Sequence, residues 1–261
     1  MLIKKRDDDD WERHWTNYGD WASLNPAQTM RHNAVLAVLK NERLPIARLL
    51  DVGSGQGDFL TRAYAARIAE QYAGFELSKA GILASRAKLP QADFVELDIH
   101  DPPPDANRFA SWATAAVCSE VIEHVDDPVA FLSSLRRYLS DNATLVLTVP
   151  AGPISRFDKH IGHRRHFDRA SVRQVLEQAG FRVSAVRLAG FPFFNLYRLT
   201  VIIRGRQLMR DLESQDASPT AGVARLAMQM FGFLFHFTLK DFPFGWQVVA
   251  VAQKAPDSDL N

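Results

Sequence analysis

Residues 49–59, Leu-Leu-Asp-Val-Gly-Ser-Gly-Gln-Gly-Asp-Phe, constrain the fold more than any other stretch of the chain. A short apolar run is followed by glycines at the alternate positions 53, 55 and 57, and then by a helix-compatible segment. Glycine is favoured where the backbone takes positive φ or approaches a ligand closely, and the first turn of a helix offers unpaired N–H groups. The stretch therefore predicts a strand, a tight turn and a helix around a small polar ligand.

The spacing of these glycines argues against a dinucleotide. The dinucleotide fingerprint is G-x-G-x-x-G, whereas this turn has G-x-G-x-G, and Asp58 stands where the third glycine of the fingerprint would fall. Asp51, at the tip of the strand, brings negative charge to a place where a pyrophosphate needs positive potential. A ligand that carries an ammonium and a sulfonium group would be attracted by that charge instead.

Strand and helix signals alternate from residue 49 onward. Apolar runs that suit strands lie at 49–52, 72–76, 93–97, 114–118, 144–149 and 182–188. Helix-length segments lie at 58–70, 78–88, 128–139 and 168–179, and a further helix pattern covers 27–39. This alternation predicts an α/β fold whose parallel sheet is covered by helices on both faces, with the ligand at the carboxyl ends of the strands.

An acidic residue ends each of two successive strands. Glu76 follows the glycine turn by about 20 residues, as expected for an acid that binds ribose hydroxyls. Asp98 ends the next strand, where a carboxylate can accept a hydrogen bond from the exocyclic amine of a purine. Either acid alone would more often be a solvated loop residue, but their repetition favours a ligand site.

The composition excludes several classes of protein. With 31 basic and 30 acidic residues the net charge is +1, so we expect no nucleic-acid partner. The single cysteine, Cys118, allows no internal disulfide, which fits a cytoplasmic location. Residues 1–10 are charged and lack the apolar core of a signal peptide. No stretch reaches the ~20 apolar residues that a membrane span requires.

These motifs together resemble a known family. The run 50–57, Glu76, Asp98 and the segment 119–125, Ser-Glu-Val-Ile-Glu-His-Val, resemble the ordered motifs of the class I S-adenosylmethionine-dependent methyltransferases. The resemblance covers roughly residues 25–190 and recurs weakly at 244–251, which is similar to the family's final antiparallel strand. It implies a Rossmann-like, mostly parallel seven-stranded sheet with helices on both faces and a helical insertion before the last strand.

The resemblance implies S-adenosyl-L-methionine as cofactor. The glycine turn and Asp51 would hold its methionine part, Glu76 its ribose and Asp98 its adenine. The nearest motifs are those of ubiquinone-biosynthesis O-methyltransferases, because residues 25–31 resemble a segment in which an arginine, here Arg31, faces the cofactor carboxylate. The implied cofactor-binding residues are Asp51, Gly53, Ser54, Gly55, Gly57, Glu76, Leu77, Asp98, Ile99, Ser119 and Arg31.

Glu120, Glu123 and His124 follow the fourth strand at positions i, i+3 and i+4. If they open a helix they share one face, and two carboxylates with an imidazole can bind a divalent cation. The E-x-x-E-H pattern resembles the magnesium-binding motif of the ubiquinone-pathway O-methyltransferases and of small-RNA 2′-O-methyltransferases, which implies Mg²⁺. The alternative is that they are ordinary helix-start residues, since acids are favoured near a helix N-terminus.

Three histidines and two arginines lie within residues 160–167, after the fifth strand. Such a loop can supply a general base, a further metal ligand or a clamp for an anionic substrate, or it can be solvated surface. Family topology places this segment over the acceptor side of the site, so we favour His163 as base or metal ligand, together with Glu120. Spacing alone does not choose among His160, His163 and His166.

The remaining parts of the chain suggest a cap on either side of the core. The predicted regions are a helical lid or cap at 1–45, a cofactor-binding core at 46–190, a helical insertion at 191–242 and the final core strand at 243–254. Trp11, Trp15, Tyr18 and Trp21 either pack the first region onto the core or cover the ligand.

The insertion is apolar, and its neighbourhood from 186 to 210 holds five arginines and no acid. We interpret it first as a cap that forms the wall of a pocket for a lipid-like acceptor, and second as peripheral membrane contact through 191–210. A dimer surface is a further alternative, so the protein is expected to be a monomer or a homodimer.

The sequence thus predicts an S-adenosylmethionine-dependent methyltransferase that methylates a hydroxyl of a small-molecule or lipid-like acceptor by direct displacement. Oxygen is favoured because Ser-Glu-Val follows the fourth strand in place of the Asn/Asp-Pro-Pro-Tyr run of amino-methylating DNA enzymes. The alternatives are an NAD-type dehydrogenase and a non-catalytic protein that binds S-adenosylmethionine.

Overall fold

A computed structural model describes residues 11, 12, 15, 25–41, 46–213 and 221–256, without the side chains of 206–213 and 221–225. Among these residues, seven strands form a sheet in the order β3-β2-β1-β4-β5-β7-β6. The strands are β1 Ile46–Val52, β2 Ala69–Glu76, β3 Asp93–Glu96, β4 Ala113–Ser119, β5 Leu139–Pro150, β6 Phe181–Ala189 and β7 Gln247–Lys254. The first five strands are parallel, and β7 runs antiparallel between β5 and β6. The predicted α/β, Rossmann-like, mostly parallel fold is confirmed.

Eight α-helices are described. They are α1 Pro26–Leu39, α2 Asp58–Ala65, α3 Lys79–Lys88, α4 Pro128–Leu135, α5 Arg156–His160, α6 Arg169–Gln178, α7 Phe193–Glu213 and α8 Ala221–Leu234. Five of them begin where a short polar side chain accepts a hydrogen bond from a backbone N–H of the first turn, which defines the start of the helix. These N-cap residues are Asn25, Ser78, Asp127, Ser155 and Asp168.

Helices cover both faces of the sheet. Adjacent residues of a strand point to opposite faces, so they pack against different helices. Leu49 and Leu50, neighbours in β1, belong to two different buried clusters. The cluster around Leu49 includes Leu36 of α1 and Leu60 of α2, and the cluster around Leu50 includes Leu132 of α4. With both faces covered, the carboxyl edge of the strands is the place left for a ligand.

The expected helix at 120–124 is wrong. Residues 121–126 form turns, in which the His124 N–H donates to the Val121 carbonyl at 3.0 Å, and α4 begins only at Pro128. A proline disfavours helical backbone at the residue before it, and Asp127 is extended, with φ −120° and ψ 93°. Glu120 and Glu123 therefore do not share a helix face.

The insertion between β6 and β7 consists of α7, α8 and a short 3₁₀ turn, Phe235–Phe237. Its inner side is an aromatic cluster in which Phe194 and Tyr197 of α7 meet Phe231 and Phe235, beside Ala27 of α1. No helix in the described part of the chain is long and apolar enough to cross a membrane. Tyr18 and Trp21 lie outside the described residues, and the division into four regions stays a prediction.

Candidate active site

The turn between β1 and α2 has the backbone that its glycines predict. Gly53, Gly55 and Gly57 have φ values of 73°, 53° and 74°, a region that L side chains rarely adopt. A Cβ on Gly53 would lie 2.5 Å from Cγ2 of Val121, so this glycine also admits the turn that follows β4. Ser54 is buried, and its Oγ has no hydrogen-bond partner among the described residues. An unpaired buried hydroxyl at this position favours a polar ligand.

Two buried carboxylates flank this turn. Asp51 is 3% exposed, and its burial, followed by the charge of Glu76, raises its pKa to about 8. Glu76 accepts hydrogen bonds from the N–H groups of Gly55 at 2.9 Å and Ser78 at 3.0 Å. Burial nevertheless raises the pKa of Glu76 above its ordinary value. The two acids thus provide a place where a cationic, hydroxyl-bearing ligand would be stabilised.

A cleft of about 640 Å³ lies beyond Glu76, at the ends of β2 and β3. Leu77 and Asp98, two of the predicted cofactor residues, line it. One carboxylate oxygen of Asp98 accepts a hydrogen bond from the His100 N–H at 2.9 Å, and Ile99 is buried. The structure therefore brings the residues predicted for the adenine end together at one edge of the sheet.

The described part of the N-terminal segment contacts this site at three points. The ring of Trp15 rests on Gly55, because a Cβ there would lie 2.6 Å from Cζ2 of Trp15. The Glu12 carboxylate accepts a hydrogen bond from the Ser78 hydroxyl at 2.8 Å. The ring of Trp11 packs edge-on against His124, with 4.8 Å between centroids. These positions fit the predicted lid, which stays a prediction.

Glu120 is bound by groups from three distant elements. Its Oε1 accepts hydrogen bonds from Gln247 of β7 at 2.8 Å and from the Thr148 hydroxyl of β5 at 3.2 Å. Its Oε2 lies 3.7 Å from Nε of Arg31 on α1. Arg31, predicted to face the cofactor carboxylate, thus contacts an acid of the protein. Ser119 is close by, with its hydroxyl 2.7 Å from that of Thr148.

A cluster of possible metal ligands forms from Glu123, His124 and His163, whose donor atoms all lie within 4.8 Å of one another. Glu123 is fully buried, and neither of its carboxylate oxygens has a hydrogen-bond partner among the described residues. Burial, followed by the charge of Glu120, raises the pKa of Glu123 well above its usual value. The metal ligands predicted from the sequence were Glu120, Glu123 and His124, possibly with His163. The cluster in the structure contains His163 and does not contain Glu120.

The hydrogen bonds of the histidine loop fix the tautomer of His163. Nδ1 of His166 lies 3.0 Å from the Gly152 carbonyl, which can only accept, so this nitrogen carries the proton. Burial lowers the pKa of His166, which favours the neutral ring, so its Nε2 has a lone pair and accepts from Nδ1 of His163 at 3.2 Å. Consequently Nε2 of His163 carries no proton and can accept one. His160 is exposed and lies outside this chain of hydrogen bonds.

The surroundings of His163 also keep it neutral. Burial, followed by the charge of His124, lowers the pKa of His163 to about 2. The ring is therefore neutral at physiological pH, as both a proton acceptor and a metal ligand must be. Arg165 of the same loop donates to the Asp126 carbonyl at 2.8 Å.

Asp158, which sequence reasoning missed, anchors this loop. Its buried carboxylate accepts two hydrogen bonds from Arg198 of α7, at 2.9 and 2.8 Å, and lies 3.8 Å from Nε2 of His166. Its backbone carbonyl accepts the His163 N–H at 2.9 Å. Burial alone would raise the pKa of Asp158, but Arg198 and Ser155 lower it to about 2. The available signal was the Ser-x-x-Asp capping box that starts α5.

A comparison with known protein families assigns the chain to a family. A family model described as a methyltransferase domain matches residues 27–186, which is more than half of the chain. The chain belongs to the methyltransferase domain family. Among curated proteins, none matches this chain significantly.

Solved structures similar to this chain share its fold at low sequence identity. One is a phosphoethanolamine N-methyltransferase 2 from Haemonchus contortus in complex with S-adenosyl-L-methionine, with 17% identity and a TM-score of 0.58. The match covers 86% of this chain but only 53% of the other, so the chain spans about half the length of that relative. Another is the cyclase SpnF, with 17% identity and a TM-score of 0.56, covering 86% and 81% of the two chains.

A third similar structure is a geranyl diphosphate C-methyltransferase from Streptomyces coelicolor in complex with Mg²⁺, a substrate analogue and S-adenosyl-L-homocysteine. Its identity is 15% and its TM-score 0.50, with 81% of this chain and 70% of the other covered. The predicted methyltransferase family is thus confirmed. The ubiquinone-type subtype and the oxygen acceptor stay predictions, because these similar structures are named as N- and C-methyltransferases, and the cytoplasmic location stays a prediction too.

Proposed function

We propose that this methyltransferase transfers a methyl group from S-adenosyl-L-methionine to a hydroxyl group of a small or lipid-like acceptor. The observation that supports this methyl donor is the pair of buried carboxylates, Asp51 and Glu76, beside a glycine turn with positive φ. A sulfonium and an ammonium would offset their burial, and ribose hydroxyls would satisfy Glu76. The complexes of similar structures with this cofactor or its product support the same donor.

The argument for a hydroxyl acceptor rests on the protonation state of His163. The acceptor oxygen attacks the methyl carbon in line, the carbon–sulfur bond breaks, and its electron pair stays on sulfur as a neutral thioether. The hydroxyl proton passes to Nε2 of His163, the nitrogen that the hydrogen-bond chain leaves unprotonated. Oxygen needs such a proton acceptor because a neutral hydroxyl is a weak nucleophile.

The low pKa of His163 means that this ring alone would hold the proton poorly. Its Nδ1 proton can move to Nε2 of His166 as Nε2 of His163 takes up the new one. The positive charge then resides on His166, 3.8 Å from the ionised Asp158. Asp158 and Arg198 are positioning residues in this scheme, because they connect the histidine loop to α7 of the insertion.

Calorimetric titration of the full chain tests the donor. We expect micromolar binding of S-adenosyl-L-methionine and of S-adenosyl-L-homocysteine, and no binding of NADH. Binding of NADH alone would favour the dehydrogenase and overturn the proposal. If the cofactor binds but no acceptor in a cell extract gains a methyl group, the non-catalytic alternative is favoured.

A second candidate is a transfer assisted by a cation, and one observation favours it: both oxygens of the buried Glu123 lack a hydrogen-bond partner among the described residues. With His124 and His163 it offers one oxygen and two nitrogen donors, which suit Zn²⁺, Mn²⁺ or Co²⁺ better than Mg²⁺. Such an ion would supply Lewis-acid activation of the acceptor, and His163 would then be a ligand.

Metal titration separates the two candidates. If the second candidate holds, Zn²⁺ or Mn²⁺ should bind with about 1:1 stoichiometry, and Glu123→Gln should weaken that binding at least about tenfold, because a charged ligand is lost. Asp126→Asn, which changes an exposed carboxylate near the same turn, is the control. Full activity of metal-free protein in excess chelator would exclude the second candidate and leave the histidine relay.

A further inference from the structure

The outer face of α8 carries an exposed apolar stripe that continues into the 3₁₀ turn after it. Leu226, Met230, Phe233 and Phe237 are spaced i, i+4, i+7 and i+11, with exposed fractions of 67%, 51%, 65% and 59%. This spacing places them on one side of the helix, and the rings of Phe233 and Phe237 are in contact at 5.4 Å. Large apolar residues in such a row mark an interaction surface.

Rotation of α8 cannot hide this stripe, because the opposite face is already packed. Phe231 and Phe235 are buried and contact Tyr197 of α7, at 5.3 and 5.7 Å between ring centroids. Turning the helix to bury the outer stripe would expose these two rings instead. The helix α8 is therefore apolar on two sides, and only one of them packs against other described residues.

The neighbouring helix α7 has a similar exposed stripe. Leu196, Leu199 and Ile203 lie at i, i+3 and i+7, with exposed fractions of 49%, 43% and 75%. The inner face of α7 is packed by Phe194 against the same aromatic cluster. Both helices of the insertion thus present large aliphatic or aromatic side chains outward.

Basic residues outnumber acidic ones around these stripes, although Arg198 is paired with the buried Asp158, Asp211 and Glu213 lie at the end of α7, and Asp241 follows Lys240. Residues 186–210 contain five arginines and no acid, and residues 221–240 contain Arg225 and Lys240 and no acid. Arg204, next to Ile203, and Lys240 are exposed. The exposed apolar surface is therefore accompanied by cations, a combination typical of helices that lie in the interface of an anionic membrane.

We propose that the outer faces of α7 and α8 dock on the interfacial region of an anionic lipid bilayer. A second copy of the chain is a poorer occupant, because a twofold interface would place this cationic face against itself. The sequence predicted membrane contact only through 191–210, and α8 adds the larger part of the surface. This inference is independent of the proposed function, although membrane docking would bring a lipid-like acceptor to the site.

Vesicle flotation with the full chain tests the proposal. We expect binding to vesicles of phosphatidylglycerol and phosphatidylcholine, weaker binding to pure phosphatidylcholine, and a decrease at high salt. The double variant Met230→Ser/Phe233→Ser should bind about 100-fold more weakly, because each lost side chain is worth about tenfold in partitioning. Leu83→Ser is the matched control, since Leu83 is 68% exposed on α3, which packs on β2 and β3 at the other edge of the sheet.

Three outcomes would overturn the inference. The first is no binding of the wild-type chain to anionic vesicles. The second is equal binding by the double variant and the wild type, or equal loss in the Leu83→Ser control. The third is a dimer, measured by light scattering, that dissociates in the double variant while vesicles bind neither protein, which would make this face an interface between copies. Calorimetric cofactor binding checks that each variant is intact.

Discussion

Asp51→Asn should stabilise the cofactor-free protein and at the same time weaken its binding of S-adenosyl-L-methionine by about 100-fold. The folded-state pKa of Asp51, about 8, lies far above the ordinary value of 3.8. Between these two pH values the folded protein keeps a proton that the unfolded chain has lost, so raising the pH favours unfolding. Asparagine has a similar shape and no proton to lose, so the variant escapes this cost.

The difference in free energy of unfolding between the variant and the wild type should therefore grow from pH 5 to pH 8, reaching about 3–5 kcal/mol. Urea unfolding at several pH values measures it, and calorimetry measures the affinity for the cofactor. Asp93→Asn is the control, because this carboxylate of β3 is half exposed and paired with Arg108. A variant that binds the cofactor as the wild type does, with a pH-independent difference in stability, would contradict the assigned role of Asp51.

His163→Asn should lower turnover by about 100-fold to 10,000-fold while the affinity for S-adenosyl-L-methionine stays within about twofold. The side chain that accepts the proton is lost, whereas the glycine turn, Asp51 and Glu76 keep their positions. Asparagine can still donate a hydrogen bond towards His166 but cannot take up the proton. Single-turnover methyl transfer to an acceptor that the wild type methylates measures the turnover. Calorimetry measures the affinity for S-adenosyl-L-methionine.

Two variants of the same loop make this result specific. His160→Asn should leave turnover unchanged, because His160 is exposed and lies outside the hydrogen-bond chain. His166→Asn should reduce turnover as well, since the relay ends at that ring. Wild-type turnover in His163→Asn, or loss of cofactor binding in place of turnover, would show that the proton acceptor lies elsewhere.

Local patterns predicted the sheet and the cofactor side of the site. Apolar runs and helix periodicity located the strands and helices, and the glycine positions 53, 55 and 57 predicted the left-handed turn that the structure has. Glu76 and Asp98 follow from their place at strand ends, because neighbouring parallel strands end at the same edge. The sheet and the glycine turn were predicted correctly because each depends on a few consecutive residues, whereas the cofactor roles of Glu76 and Asp98 stay predictions.

The acceptor side was predicted less well, for a physical reason. The spacing of Glu120, Glu123 and His124 suggested one helix face, but Pro128 delays the helix and leaves these residues in turns. Glu120 accepts a hydrogen bond from Gln247, whereas the carboxylate of Glu123 lies within 4.8 Å of a ring nitrogen of His163. Such pairings depend on how turns and loops from distant parts of the chain meet, which spacing does not encode.

The sequence by itself therefore determined the α/β sheet and the positive-φ glycine turn at its carboxyl edge, because strand periodicity and glycine spacing are local properties. Only the tertiary structure placed His163 and His166, and not His160, in one chain of hydrogen bonds that ends at the Gly152 carbonyl, and revealed Asp158 with Arg198, 40 residues away. It also decided which faces of α7 and α8 stay exposed, since that depends on which side of each helix the core already occupies.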